Sequence, residues 1–159
     1  MSASTNLVES LIAVGRVSAN QVVGCSEQEI ANIEARFGYN LPGAYKDFLR
    51  TLGKGAGKFQ NDCMWKYPEL LEDVPEATRG VLDNCNGTYK HTIELPKTAF
   101  VFLESGGSQI MFFDTADGDD PPVFLYEQGN QQATKWADSF SSWVAEYSNG
   151  IRSEARKPD

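Results

Sequence analysis

The sequence is poor in the two residues that most often build metal sites and nucleophilic sites. Its 159 residues include three cysteines and one histidine. The cysteines, Cys25, Cys63 and Cys85, lie far apart and form no Cys-x-x-Cys pair. This spacing argues against a zinc site or a redox-active disulfide, and we predict reduced, partly buried thiols. Catalysis by a Ser-His-Asp or Cys-His set would depend on His91 alone, so we favour a surface or capping role for it.

Long apolar runs are also missing. No eighteen consecutive residues are apolar, and the first fifteen residues have no basic segment ahead of an uninterrupted apolar stretch. We therefore expect neither a membrane span nor a secretory signal, and we expect a cytoplasmic protein. The sequon-like Asn86-Gly87-Thr88 is then interpreted as a turn.

Positive charge is scarce as well. Fourteen Lys and Arg residues stand against twenty-two Asp and Glu residues, which gives a net charge of -8. A field of this sign repels phosphates, so the composition argues against direct nucleic-acid binding and favours a basic protein partner.

The rest of the composition is typical of a folded protein. The chain is 41% hydrophobic, 11% aromatic and 23% charged, which is too apolar for a disordered chain. Its length suits one domain, and no repeat or linker divides it. We expect a single domain over residues 1–150 and a flexible tail over residues 151–159.

The N-terminal part of the sequence predicts two helices. Apolar residues at helical spacing indicate a short amphipathic helix over residues 5–14, which Gly15 ends. Ser26 and Glu29 form a capping box, because each side chain can satisfy a backbone donor at the start of a helix. Gly38 supplies the left-handed residue that ends this second helix.

A third helix follows at once. Pro42 fits its first turn because a proline there loses no intrahelical hydrogen bond. Tyr45, Phe48 and Leu49 then fall on one apolar face, and Gly53 ends the helix. The pattern predicts a helix-turn-helix corner that places two apolar faces on one core.

The middle of the chain has a weaker pattern. Between Phe59 and His91 we predict a short strand or loop near residues 64–67, followed by one or two brief helices that Pro68 and Pro75 break.

The C-terminal part predicts a sheet and a last helix. The runs "AFVFLE", "QIMFFDT" and "VFLYEQ" alternate with turn residues and predict an antiparallel meander that is covered on both faces. A last helix opens at Thr134, carries Trp136 and Trp143 on a buried face, and ends at Asn149-Gly150. The predicted fold class is α+β, with a central antiparallel β-meander packed against the N-terminal helix-turn-helix corner and the C-terminal helix.

Residues from three parts of the chain carry a resemblance to a known family. They are the Leu41-Pro42 pair with Tyr45 and Phe48, the hairpin "FVFLESGGSQIMFFDT", and the Trp-bearing final helix. In this order they resemble the SUKH superfamily, the Smi/Knr-type proteins, over about residues 26–148. Bacterial members are chiefly immunity proteins of polymorphic toxin and contact-dependent competition systems. The resemblance implies a non-catalytic α+β domain that binds and neutralises a toxin, often a nuclease or another nucleic-acid-modifying enzyme.

Two loops are similar in composition to known phosphate-binding and calcium-binding loops but lack the sequence motifs of those loops. The stretch "SGGSQ" opens no helix and is not a phosphate-binding loop, so we interpret it as a hairpin turn. The stretch "DTADGDDPP" is acidic but lacks the alternating oxygen ligands and terminal Glu of a calcium loop, which favours a solvated loop. We therefore predict no catalytic residue, no cofactor and no metal.

The distribution of charge leads to a hypothesis about the binding site. No Lys or Arg occurs between Lys97 and Lys135. The predicted partner-binding residues are the acids of this interval and one aromatic residue: Glu104, Asp114, Asp117, Asp119, Asp120, Tyr126 and Glu127. The acids would speed encounter with a basic toxin surface, while Tyr126 and an uncovered Phe113 or Phe124 would supply apolar anchors.

Alternatives stay open for the acids and for the function. The acids are also explained by a solvated rim that prevents aggregation of an aromatic sheet. For the function, the second hypothesis after an immunity protein is a non-inhibitory regulatory or scaffold protein that uses the same fold to recruit a partner, and an enzyme is the third.

Overall fold

In the computed structural model, helices and one antiparallel sheet pack around a shared aromatic core. The structure describes residues 2–83 and 93–156, with residues 149–156 described by backbone only. His91, Cys85 and the turn Asn86-Gly87-Thr88 lie outside the described residues, so the roles proposed for them stay predictions.

The described elements alternate between helices and short strands at first and then form a meander. The helices are α1 (Ala3–Ala13), α2 (Glu27–Phe37), α3 (Gly43–Leu52), α4 (Tyr67–Leu71), α5 (Asp73–Leu82) and α6 (Phe140–Arg156). The strands are β1 (Val22–Val23), β2 (Gly55–Ala56), β3 (Cys63–Met64), β4 (Ala99–Ser105), β5 (Gln109–Asp114), β6 (Val123–Glu127) and β7 (Thr134–Ala137). Strands β1 and β2 pair with each other, and the other strands form one antiparallel sheet in the order β3-β4-β5-β6-β7. The predicted α+β class is confirmed.

The helix-turn-helix corner forms as predicted. The backbone amide of Glu29 donates to Ser26 Oγ at 3.1 Å, and the amide of Ser26 donates to Glu29 Oε1 at 2.9 Å, so the capping box is complete. Gly38 ends α2 in the left-handed region, with φ of 81°. Pro42 is the residue just before α3, one position earlier than predicted. The two helices are also joined by Glu34, whose carboxylate accepts from the amide of Leu41 at 2.8 Å.

Gly53 ends α3 as Gly38 ends α2, but the physical reason for a glycine differs between the two positions. Its φ of -63° is open to any residue. A Cβ at this position, however, would lie 2.7 Å from Cys25 Sγ and 2.7 Å from the carbonyl oxygen of Leu49. Glycine is therefore required by the close approach of the segment around Cys25.

The prolines of the middle segment start helices instead of breaking them. Pro68 is the second residue of α4, and Pro75 is the third residue of α5. A first-turn proline loses no intrahelical hydrogen bond, which corrects the prediction that these residues interrupt helices.

The sheet has a core on each face. The inner face carries Phe100, Phe102 and Phe113, which contact Tyr45 of α3 with ring centroids 5.1–6.1 Å apart. Phe102 and Phe113 also contact Phe140 of α6, at 5.3 and 5.9 Å. The outer face carries a smaller cluster of Ile110, Phe112 and Tyr126, against which Val81 of α5 packs. Both faces are therefore covered over much of their area, as predicted for strands that are apolar on both sides.

The last helix differs from the prediction at both ends. Residues 134–137 form strand β7, because they pair with β6, and α6 begins only at Phe140. At the other end, the backbone of α6 continues through Asn149-Gly150 to Arg156. A glycine costs a helix only about 1 kcal/mol, so one such residue does not have to end it.

Candidate functional site

Four of the predicted acids lie on one loop. We call residues 114–122, which connect β5 to β6, the acidic loop. Asp114 stands at its start, where its carboxylate accepts from the amide of Ala116 at 2.9 Å and from the Thr98 hydroxyl. Asp117, Asp119 and Asp120 follow and are exposed.

The acidic loop is held against two helices. The amide of Ala44, in the first turn of α3, donates to the carbonyl oxygen of Asp119 at 2.9 Å. The amide of Ser141, in the first turn of α6, donates to Asp120 Oδ1 at 2.8 Å. The loop thus satisfies one otherwise unpaired amide at the start of each helix, and the helix dipoles favour acids there. Among the residues whose side chains are described, 2–83 and 93–148, Asp117 and Asp119 make no ion pair.

The other predicted site residues lie elsewhere. Glu104 is only 5% exposed, and its carboxylate accepts from the amide of Gly107 in the turn between β4 and β5. Tyr126 is 1% exposed, and its hydroxyl donates to the carbonyl oxygen of Asn130 at 2.9 Å. Glu127 is exposed but sits at the opposite end of β6 from the acidic loop. The structure therefore brings together four of the seven predicted residues.

The predicted aromatic anchors also need correction. Phe113 is fully buried under the helices of the inner face, and Tyr126 is buried in the outer cluster. A side chain without accessible surface cannot anchor a partner unless the fold opens. Phe124 differs from both because it is only partly buried.

Phe124 forms the floor of a cavity on the outer face, which we call the outer groove. The groove has a volume of about 420 Å³. Phe124 and Phe112, which are paired across β6 and β5, stack in its floor with ring centroids 5.6 Å apart and ring planes 22° apart. Its walls come from two segments distant in sequence, residues 93–96 and residues 131–133.

Carboxylates line the outer groove without a cation among them. Glu94, Asp114 and Asp117 belong to its lining, and the described lining residues include no Lys, Arg or His. Lys135 pairs with Phe124 across the sheet, but its ammonium contacts Asp138 at 2.8 Å. The groove is therefore apolar at its floor and negative at its wall.

Trp136 is a feature that the sequence interpretation placed wrongly. It was expected on the buried face of the last helix, but it lies on β7 and is 50% exposed. Val123 pairs with Ala137 and Phe124 pairs with Lys135, so Trp136 is the extra residue of a β-bulge. Its sequence neighbours, residues 131–133, line the outer groove. Exposed tryptophan is over-represented among the residues that dominate binding energy.

The described thiols have no activating environment. Burial raises the pKa of the Cys25 thiol to about 12, with a further contribution from Glu29, so this thiol stays protonated. Cys63 is partly buried, and its pKa is raised by the same cause. No group of three or more His, Cys, Asp or Glu side chains suited to a metal ion occurs in the described part of the chain. None of the described helices has the length and apolarity needed to cross a bilayer.

Comparison with models of protein families identifies the family of this chain. The family model of the SMI1 / KNR4 family (SUKH-1) matches residues 24–146, which is more than three quarters of the chain. The matched region begins just before α2 and ends within α6, so it contains the corner, the whole sheet and the acidic loop. A search of curated proteins found no match.

Proposed function

The chain belongs to the SMI1 / KNR4 family (SUKH-1), and we propose that it is an immunity protein that binds a cognate bacterial toxin and neutralises it. Membership of this family is consistent with an immunity-protein role. The proposed toxin is a nuclease or another nucleic-acid-modifying enzyme, which needs a basic surface to hold its substrate.

One observation carries the choice of surface. The acidic loop presents exposed carboxylates on a backbone that is hydrogen-bonded to the starts of α3 and α6. A pre-ordered loop loses little conformational entropy on binding, and its charge attracts a cationic protein. The proposed binding residues are Asp114, Asp117, Asp119 and Asp120 of this loop, with Trp136 as an added apolar anchor. Glu104 and Tyr126 are left out because they are buried.

The proposed mechanism is occlusion. The acidic loop covers the basic surface on which the toxin would hold nucleic acid, so substrate cannot reach the active centre. Such a mechanism needs no chemistry from this chain, and we propose a non-catalytic role in the cytoplasm, where the toxin's substrate is found. Glu127 stays a candidate contact only for a partner large enough to reach the other end of the sheet.

The first experiment is co-expression. The adjacent reading frame is first inspected for a secreted protein with a basic C-terminal domain. Such a domain is then induced as the candidate toxin in cells with and without this chain, and survival is measured together with recovery of a stoichiometric complex. Survival that depends on the chain supports the proposal. Killing that persists although a stoichiometric complex forms contradicts it and favours the scaffold alternative.

The second experiment tests the surface. We expect Asp117→Lys to slow association with the toxin domain by roughly three- to tenfold at low salt, with a smaller effect at high salt. The matched control is Asp62→Lys, which makes the same charge change at an exposed position just before β3, at the other end of the sheet. Equal association rates for the two variants would remove the acidic loop from the proposed interface.

A further inference from the structure

We infer that the outer groove receives an arginine side chain of the partner protein, an inference that rests on the proposed function and gives it a contact of defined chemistry. The groove has two parts that a single side chain would have to match. Its floor is the stacked pair Phe112 and Phe124, and its wall includes the carboxylates of Glu94, Asp114 and Asp117.

The floor selects a side chain with a flat or apolar body. Phe124 is only partly buried and lines the groove, whereas Phe112, which stacks on it, is 5% exposed. A cation above an aromatic face is attracted by the negative face of the ring, and the planar guanidinium also stacks on it. The chain already contains a contact of this kind, in which Arg36 Cζ lies 5.2 Å from the ring centroid of Phe37.

The wall selects positive charge. No cationic side chain is among the described residues that line the groove, and Lys135 beside it is engaged by Asp138. An anionic group in the groove would be repelled by these acidic residues, whereas a cationic group would be attracted to them. An arginine provides five N–H donors in a fixed fork, so it can bind a carboxylate while its methylene groups pack on Phe124.

The size of the groove is compatible with one anchor residue and its neighbours. A volume of about 420 Å³ is near the lower end of the range in which specific ligands bind proteins. Trp136 is exposed and follows, three residues later, the segment 131–133 that forms one wall, and it is the second, apolar contact proposed for the same partner.

The test uses a small probe, so that it does not depend on the toxin. N-acetyl-arginine amide is titrated into the isotope-labelled full chain, and backbone amide shifts are followed by NMR. N-acetyl-citrulline amide is the control, because it has nearly the same shape without the charge. We expect saturable shifts at residues 112–117, 124 and 131–133 with arginine, and weaker binding with citrulline. Shifts that do not saturate, or that occur mainly elsewhere, would overturn the inference.

Substitutions distinguish the contribution of the groove floor to arginine binding from that of the groove wall. Phe124→Leu keeps an apolar side chain but loses the ring face, and we expect arginine binding to weaken roughly two- to fivefold. Asp117→Asn should weaken it by a similar factor, since it removes one exposed carboxylate. Phe37→Leu is the control, because it removes a partly buried ring outside the groove. Equal affinities for all three variants and the parent would also overturn the inference.

The arginine contact in the groove and the proposed immunity function would be contradicted by different results. If the chain protects cells from the toxin but arginine does not bind the groove, the immunity role stands and the groove contact falls. If arginine binds the groove but the chain gives no protection, the contact stands and the immunity role falls.

Discussion

Asp120 Oδ1 accepts a 2.8 Å hydrogen bond from the backbone amide of Ser141. Ser141 is the second residue of α6, so the carboxylate satisfies an amide that the helix itself leaves unpaired. Ser139 caps the same helix by accepting from the amide of Ser142 at 3.0 Å. The acidic loop therefore has a structural role besides the proposed binding role, and substitutions can separate the two.

Asp120→Ala is expected to lower the free energy of unfolding by about 1 kcal/mol, because it removes a cap of α6. Asp120→Asn should keep most of that stability, since an amide oxygen can accept the same hydrogen bond. Asp117→Ala, at an exposed position of the same loop, should change stability by less than about 0.5 kcal/mol. Urea denaturation measures all three, and an Asp120→Ala variant as stable as the parent would show that the cap contributes nothing.

Gly24 and Gly80 are expected to respond in opposite directions to alanine. A Cβ on Gly24 would lie 1.8 Å from the carbonyl oxygen of Arg50, so the backbone would have to move. We expect Gly24→Ala to cost about 3 kcal/mol. Gly80 lies inside α5, and no atom of the described residues, apart from its chain neighbours and the backbone of its own helix, lies within 4 Å of the corresponding Cβ, so Gly80→Ala should stabilise the fold by about 0.5–1 kcal/mol. Thermal and urea unfolding of both variants give the comparison.

An element could be predicted from the sequence when the residues that determine it lie close together in the chain. The Ser26–Glu29 box, the left-handed Gly38 and the apolar face of α3 are each fixed by residues within one or two turns. Strand β7 was missed because it exists through pairing with β6, which is a non-local interaction. The apolar spacing from Trp136 to Phe140 continued the period of α6, and the true cap at Ser139 was not recognised.

The placement of the proposed site residues in the fold was predictable only in part. A run of acids without Lys or Arg located the acidic loop, because charge patterning is visible in sequence. Burial of Glu104 and Tyr126 was not visible, since it depends on the hairpin turn and on α5. The outer groove was also missed, because its walls at residues 93–96 and 131–133 meet only in the folded chain.

Tyr45 and Tyr39 offer a test of hydrogen bonding in the core. The hydroxyl of Tyr45 is buried without a hydrogen-bond partner among the described residues, and burial raises its pKa well above the usual value. Tyr45→Phe should therefore be neutral or stabilise the fold by up to about 1–2 kcal/mol. The hydroxyl of Tyr39 donates to the carbonyl oxygen of Ala99 at 2.9 Å, so Tyr39→Phe should cost about 1 kcal/mol. A larger loss for Tyr45→Phe than for Tyr39→Phe in urea unfolding would contradict this assignment.

Trp143 and Trp136 are expected to separate folding from binding. Trp143 is 1% exposed and contacts Phe48, Phe102 and Tyr147, so Trp143→Ala should cost about 3–5 kcal/mol. Trp136 is 50% exposed, and Trp136→Ala should cost less than about 1 kcal/mol. Its effect should instead appear as faster dissociation of the toxin complex. Unfolding of the Trp136→Ala variant at 25 °C would contradict its placement on the surface.

The stability of the helix-turn-helix corner should depend on pH through Glu29. Hydrogen bonds from the Ser26 backbone amide and from Lys54, whose Nζ lies 3.1 Å away, lower the pKa of the Glu29 carboxyl below its ordinary 4.5. A lowered pKa in the folded state adds stability above pH 4.5, and that stability is lost as the pH falls through the folded value. Glu29→Gln keeps an acceptor for the capping box, so the stability difference from the parent should be constant at neutral pH and shrink in acid. Glu9→Gln removes the same charge from an exposed position of α1 and serves as the control. Urea unfolding from about pH 3 to 7 would contradict the assignment if the Glu29→Gln difference were independent of pH.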